Sequence, residues 1–184
     1  MAQLRMAADE YRKKVGQGNR GMAFETAINH TNQMYAYQNI ALINKRSTPV
    51  KVTRSKGTKV VSGYFENKST VDYDGVYRGH SIVFEAKSLS GKSFPLNNVA
   101  DHQYDYLDQA QKHGARSFLL IEFRDTREVF LLPYVTLKHY KSKADAGGRK
   151  SIPLEDFEIH AYGVEQGRGV RVDYLAAVER WMKG

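Results

Sequence analysis

The order of periodic segments predicts a mixed α/β protein, a sheet flanked by helices. Three observations carry that prediction. A helical pattern comes first, several short strand-like runs follow, and a helix, two strands and a closing helix complete the order. The length of 184 residues and the 41% hydrophobic content suit one domain with a sizeable core. No internal repeat or low-complexity tract breaks the pattern.

Each element has its own signal. Residues 1–18 are polar and basic, end in Gly16-Gln17-Gly18, and read as a flexible basic arm ahead of a single domain over residues 19–184. From Asn19, the residues Phe24, Ile28, Thr31 and Tyr35 recur at helical spacing as far as Asn39. Ile40 to Ile43 is a short apolar run, and Val50–Thr53 and Val60–Phe65 flank a turn at Lys56-Gly57. Asp72-Tyr73-Asp74-Gly75 has turn composition. Val76-Tyr77 and His80–Ala86 read as strands joined by Arg78-Gly79. A helix is expected over Val99–His113, with Gly114 closing it. Ser117–Phe123 and Val129–Leu132 are apolar strands around Asp125-Thr126, and Tyr134–Lys141 suits a short helix. After the basic loop Gly147-Gly148-Arg149-Lys150, Asp173–Met182 forms a closing amphipathic helix with Asp173 as its cap.

Composition narrows the function. Lys and Arg total 28 against 20 Asp and Glu, a formal charge of +8, which favours an anionic partner. The absence of Cys excludes a disulfide scaffold and a Cys-based zinc finger. The six His residues show no zinc-type pairing. The first residues lack a signal-peptide apolar run, and no stretch of about 18 apolar residues occurs, so a cytosolic protein without a membrane span is expected.

The strand Ser81 to Lys87 carries the chemistry. Side chains alternate along a strand, so Ile82 and Phe84 share one face while Val83, Glu85 and Lys87 share the other. Asp72 lies one hairpin upstream, where strand pairing returns it beside Glu85. Two carboxylates hold Mg²⁺, which prefers oxygen ligands, and a neighbouring Lys orients water or meets developing charge during phosphodiester hydrolysis. A lone Glu-x-Lys is more often an edge-strand ion pair. The apolar strand, the upstream Asp and the basic chain favour the catalytic alternative.

Asp72…Glu85-Ala86-Lys87 resembles the signature of restriction-endonuclease-like nucleases. The blocks Asn19–Met22, Ser69–Tyr77, Phe84–Lys87, Ser93–Leu96, His102-Gln103, Gly147–Ser151 and Asp173–Leu175, in this order, resemble the RecU-type Holliday junction resolvases. The resemblance runs from about Gly18 onward. It implies a restriction-endonuclease-like mixed sheet with a protruding basic stalk. It also implies a homodimer and cleavage of branched DNA, the four-way junction, with Mg²⁺ as cofactor and Mn²⁺ as a substitute. By position it implies Thr70, Asp72, Glu85 and Gln103 as metal ligands, and Lys87 as the transition-state stabiliser. The chain departs from the family at Val71, where Thr is common, and in its short arm. Glu25 on the first helix is a secondary candidate: in the broader fold an acidic residue there often approaches the metal, and a solvated helix carboxylate fits equally.

Between Glu25 and Glu66 there is no acidic residue, while Lys45, Arg46, Lys51, Arg54, Lys56 and Lys59 all fall within that stretch. Arg54, Lys56 and Lys59 around the turn suit phosphate backbones, and the resemblance places the junction-engaging stalk here. Ala86 to Ser93 nearly matches a P-loop, but Phe94-Pro95 follows immediately and Pro95 disfavours a helix start. The remaining alternatives are a duplex-DNA endonuclease of the same fold and a non-catalytic DNA-binding protein.

Overall fold

Within residues 22–65 and 70–183, which the computed structural model describes, the chain runs through α1 at residues 22–37, β1 (Leu42–Lys45), β2 (Val50–Lys56), β3 (Lys59–Phe65), β4 (Tyr73–Tyr77) and β5 (His80–Leu89). Then follow β6 (Ser93–Pro95), a 3₁₀ turn at Leu96–Asn98, α2 (Asp101–Lys112), β7 (Arg116–Phe123), β8 (Glu128–Pro133), α3 (Tyr134–Asp145), β9 (Ser151–Pro153), α4 (Leu154–His160), β10 (Tyr162–Gly163) and α5 (Tyr174–Lys183). The expected arm over residues 1–18, the helix start at Asn19 and Ser69 lie outside the described residues.

One six-stranded sheet has the order β1-β4-β5-β7-β8-β10. Only β5 and β7 pair in parallel, and α2 lies in the crossover between them. These central strands are apolar because both faces are covered. One face packs Val83, Leu119 and Ile121 against Leu107 of α2 and Leu137 of α3. The other packs Ile82, Phe84 and Leu120 against Phe24 and Ile28 of α1 and Leu175 and Val178 of α5. An aromatic column crosses that second face. Tyr73 stacks on Phe84 at 4.8 Å between centroids, Phe84 stacks on Phe118 at 4.9 Å, and Tyr174 closes on Phe84 at 5.0 Å. The stacked residues are direct cross-strand partners, so the column fixes the register of three strands.

β2 and β3 form a separate two-stranded hairpin, exposed along its whole length. It is the basic projection expected around Lys56-Gly57.

Several local expectations are corrected. Asp72 to Gly75 is not a turn, since Tyr73 to Gly75 lie within β4. Gly75 is there because β1 presses close: a Cβ at this position would sit 2.0 Å from the Leu42 carbonyl oxygen. Asp173 precedes α5 but does not cap it with its side chain. Its carboxylate accepts from the Tyr35 hydroxyl at 2.6 Å and pairs with Arg168, and the Leu175 N–H donates to Tyr35 instead. The helix expected over Tyr134–Lys141 continues to Asp145. The elements β6, β9, β10 and α4 carry too few residues to show a period. Gly114 does close α2, in the left-handed conformation at φ 89°. After Ser93 the chain enters β6, so the P-loop-like string is not followed by a helix.

Candidate active site

The hairpin of β4 and β5 brings Asp72 to Glu85. Tyr73 pairs with Phe84, which leaves Asp72 and Glu85 as the next facing positions. Their contact is reciprocal. The Asp72 backbone N–H donates to Glu85 Oε2 at 3.0 Å, and the Ala86 N–H donates to Asp72 Oδ2 at 3.0 Å. Each carboxylate thus has one oxygen held by the partner strand's backbone.

The second oxygen of Glu85 gathers the remaining groups. Lys87 Nζ lies 2.9 Å from Glu85 Oε1, on the same strand face, as alternation requires. The Gln103 amide nitrogen donates to the same Oε1, and Lys87 also reaches Gln103 Oε1 at 3.3 Å. Gln103 is set by the start of α2, where its carbonyl oxygen accepts the Ala100 N–H at 3.1 Å. Asp72, Glu85, Lys87 and Gln103 therefore form one hydrogen-bonded cluster.

Glu85 is 2% exposed. Burial, and then the Asp72 charge, push its pKa up to about 7, and Lys87 offsets this only in part. Glu85, buried beside the half-buried Asp72, is short of positive charge.

Thr70 lies two residues before Asp72. Its hydroxyl accepts from the Arg46 guanidinium at 2.7 Å rather than touching the carboxylates. Val71 between them is fully buried in the core, so its departure from Thr leaves the polar side of the segment intact. Glu25 pairs with Lys45 instead of joining the cluster. Arg54, Lys56 and Lys59 sit apart, on the exposed hairpin.

A donor set of two carboxylates, one hydroxyl and one amide oxygen suits a hard divalent cation that keeps several waters. No group of three or more His, Cys, Asp or Glu side chains fit to hold a metal occurs among the described residues. The neutral oxygens of Thr70 and Gln103 would therefore have to complete any site built on Asp72 and Glu85.

The family model for recombination protein U matches residues 19–180. The chain belongs to the recombination protein U family. Similar proteins agree with that assignment. A Holliday junction resolvase RecU from Geobacillus sp. (strain WCH70) is 40% identical over 169 residues, covering 89% of this chain and 84% of that protein. One from Streptococcus gordonii is 40% identical over 172 residues, covering 90% and 85%. A Staphylococcus aureus protein of the same name is 38% identical over 169 residues, covering 89% and 81%. The span matched to the RecU family includes the whole Asp72–Glu85–Lys87–Gln103 cluster and the basic hairpin.

Sequence reasoning missed the role of Arg46, which it placed only in the basic stretch. In this RecU-family chain its backbone N–H donates to the Asp72 carbonyl at 2.7 Å. Its guanidinium binds Thr70, pairs with Asp74 at 2.9 Å, and lies 5.0 Å from the centre of the Tyr106 ring on α2. One side chain thus joins the end of β1, the start of β4 and the helix that carries Gln103. The only local signal was a basic residue just past the end of an apolar run.

Proposed function

We propose that this chain is a metal-dependent endonuclease that resolves Holliday junctions in DNA recombination and repair. The observation that carries the reading is the clasped pair of half-buried Asp72 and buried Glu85 with the Lys87 ammonium on it. Its site for a divalent cation is Thr70, Asp72, Glu85 and Gln103, with Mg²⁺ as the natural ion and Mn²⁺ as a substitute. When bound, the ion supplies positive charge to a phosphate oxygen and acidifies a coordinated water.

The protein's own groups do the rest. Asp72 and Glu85 concentrate negative charge on one side of the scissile phosphate and are held rigidly by each other's strands. Lys87 is positioned by Glu85 and Gln103, so its ammonium meets the charge that grows on the phosphate as the ester bond breaks. Arg54, Lys56 and Lys59 on the β2–β3 hairpin bind the backbone around the branch point. The chain acts in the cytoplasm as a homodimer, with residues 19–184 as one nuclease domain.

The test is cleavage of a synthetic four-way junction beside a matched linear duplex, with and without Mg²⁺. Metal-dependent cutting of the junction with the duplex left intact is expected. Asp72→Ala, Glu85→Ala and Lys87→Ala each reduce the rate by about a hundredfold or more while binding persists. Equal cutting of both substrates would make it a duplex nuclease, and binding without any cutting would make it a DNA-binding protein only.

A further inference from the structure

Past Lys87, β5 leads into a second polar hollow. Ser88, Ser90, Ser93, Asn98 and Arg124 contribute to the lining of an open cavity of about 460 Å³. The Arg124 guanidinium donates to Ser88 Oγ at 3.1 Å and to Ser90 Oγ at 2.7 Å. Among the described residues these hydroxyls are its hydrogen-bonding partners, and no carboxylate pairs with it. Neither of the two acidic residues nearby in sequence pairs with the guanidinium, and Glu122 lies one hydroxyl away from it, on Ser88. Glu122 accepts from Ser88 Oγ at 2.7 Å and faces Arg171, while Asp125 accepts the Gly91 N–H at 2.6 Å.

An arginine held by hydroxyls keeps its full charge, and part of its rotamer entropy is already lost. Two of its five N–H groups serve the serines, which leaves donors for a bidentate oxyanion. The Ser90 and Ser93 hydroxyls and the Asn98 amide add neutral donors, while the Ser88 proton is given to Glu122. The P-loop-like string Ala86 to Ser93 thus supplies serines around an arginine instead of a helix terminus.

The cavity also adjoins the cutting cluster along the chain. Ser88 follows Lys87 at the end of β5, with its side chain on the opposite face of the strand, and Asn98 closes the turn that leads into the helix carrying Gln103. We propose that this cavity is a subsite for a DNA backbone phosphate flanking the one that is cut. The proposal rests on DNA being the substrate.

Methylphosphonate substitution tests it. Four-way junctions carrying one neutral phosphate analogue at successive positions near the cut are bound in Ca²⁺, so affinity is read on uncut DNA. In the wild-type chain one flanking position is expected to weaken binding roughly tenfold. Arg124→Gln is expected to weaken binding of the unmodified junction by a similar factor, to show no further loss at that position, and to lower the slope of log K against log salt by about 1. Arg124→Lys, which keeps the charge, restores the slope. Thermal melting confirms that each variant is folded. Every analogue penalty persisting unchanged in Arg124→Gln, or wild-type affinity of that variant for the unmodified junction, overturns the subsite. Failure of cleavage in Mg²⁺ would strike the resolvase reading alone, because this readout does not use catalysis.

Discussion

Glu85 concentrates what the site demands of a single residue. It is a carboxylate at the end of an apolar stretch, with a second carboxylate clasped against it. Because burial and Asp72 raise its pKa from 4.5 to about 7, the folded chain holds a proton there more tightly than the unfolded chain does. Metal-free stability contributed by Glu85 is therefore present below pH about 4.5 and lost as pH rises through about 7. Melting curves of the wild type and Glu85→Gln at pH 5 and pH 8 are expected to show the gap between them shift against the wild type at the higher pH. A cation bound to ionised Glu85 competes with that proton, so added Mg²⁺ is expected to raise the melting temperature more at pH 8 than at pH 5.5. An identical gain at both would place the ion elsewhere. Asp72, Glu85 and Lys87 were legible in the sequence because strand alternation sets Glu85 and Lys87 on one face and hairpin pairing returns Asp72 to them, whereas Gln103 entered only through the family resemblance. Arg46 was not legible. Its role arises where β1, β4 and α2 meet, and no local periodicity encodes a meeting of three segments.

At the scale of elements, the aromatic column and the carboxylate cluster lie back to back. Tyr73 and Phe84 stack on one face of the sheet, and their chain neighbours Asp72 and Glu85 meet at the next position. A slip of one residue between β4 and β5 would turn Glu85 into the wrong layer. Phe84→Ala is expected to cost about 3–5 kcal/mol, measured by denaturant unfolding, since Phe84 is wholly buried. The same change in an exposed hairpin residue such as Phe65 is expected to cost about 0.5 kcal/mol or less. The hairpin itself predicts a separation of functions. Replacing Arg54, Lys56 and Lys59 together with Gln is expected to lower the salt slope of junction binding by up to about 3, with stability changed little. An unchanged slope would remove the hairpin from the DNA surface. Long apolar or alternating segments were read correctly. The short pieces β6, β9 and α4 were not, because three to seven residues are too few to display a period and tertiary pairing decides them. The Asp72–Gly75 segment misled for a different reason. Its turn-forming composition serves the clasp with Glu85 and the close approach of β1, and both of those depend on strands elsewhere in the sheet.

For the whole molecule, the described residues of one chain offer one such cluster, and resolving a four-way junction takes two cuts at symmetry-related positions. A two-fold dimer presents identical sites in that relation. Sedimentation at micromolar concentration is expected to show a dimer, and mixed dimers of wild-type and Asp72→Ala chains are expected to nick mainly one strand per junction. A monomer that makes both nicks would end this reading. The placement of the β2–β3 hairpin has a consequence of its own. The chain leaves the sheet at Arg46 and re-enters at Asp72, where their backbones are already hydrogen-bonded at 2.7 Å. The β2–β3 hairpin that lies between is, in polymer terms, a loop on a closed base, and doubling such a loop costs only about 0.6 kcal/mol, whereas Thr70 and Val71 stay tied to Arg46 and the core. Evolution, or an engineer, is therefore free to lengthen, shorten or exchange that hairpin as a cassette.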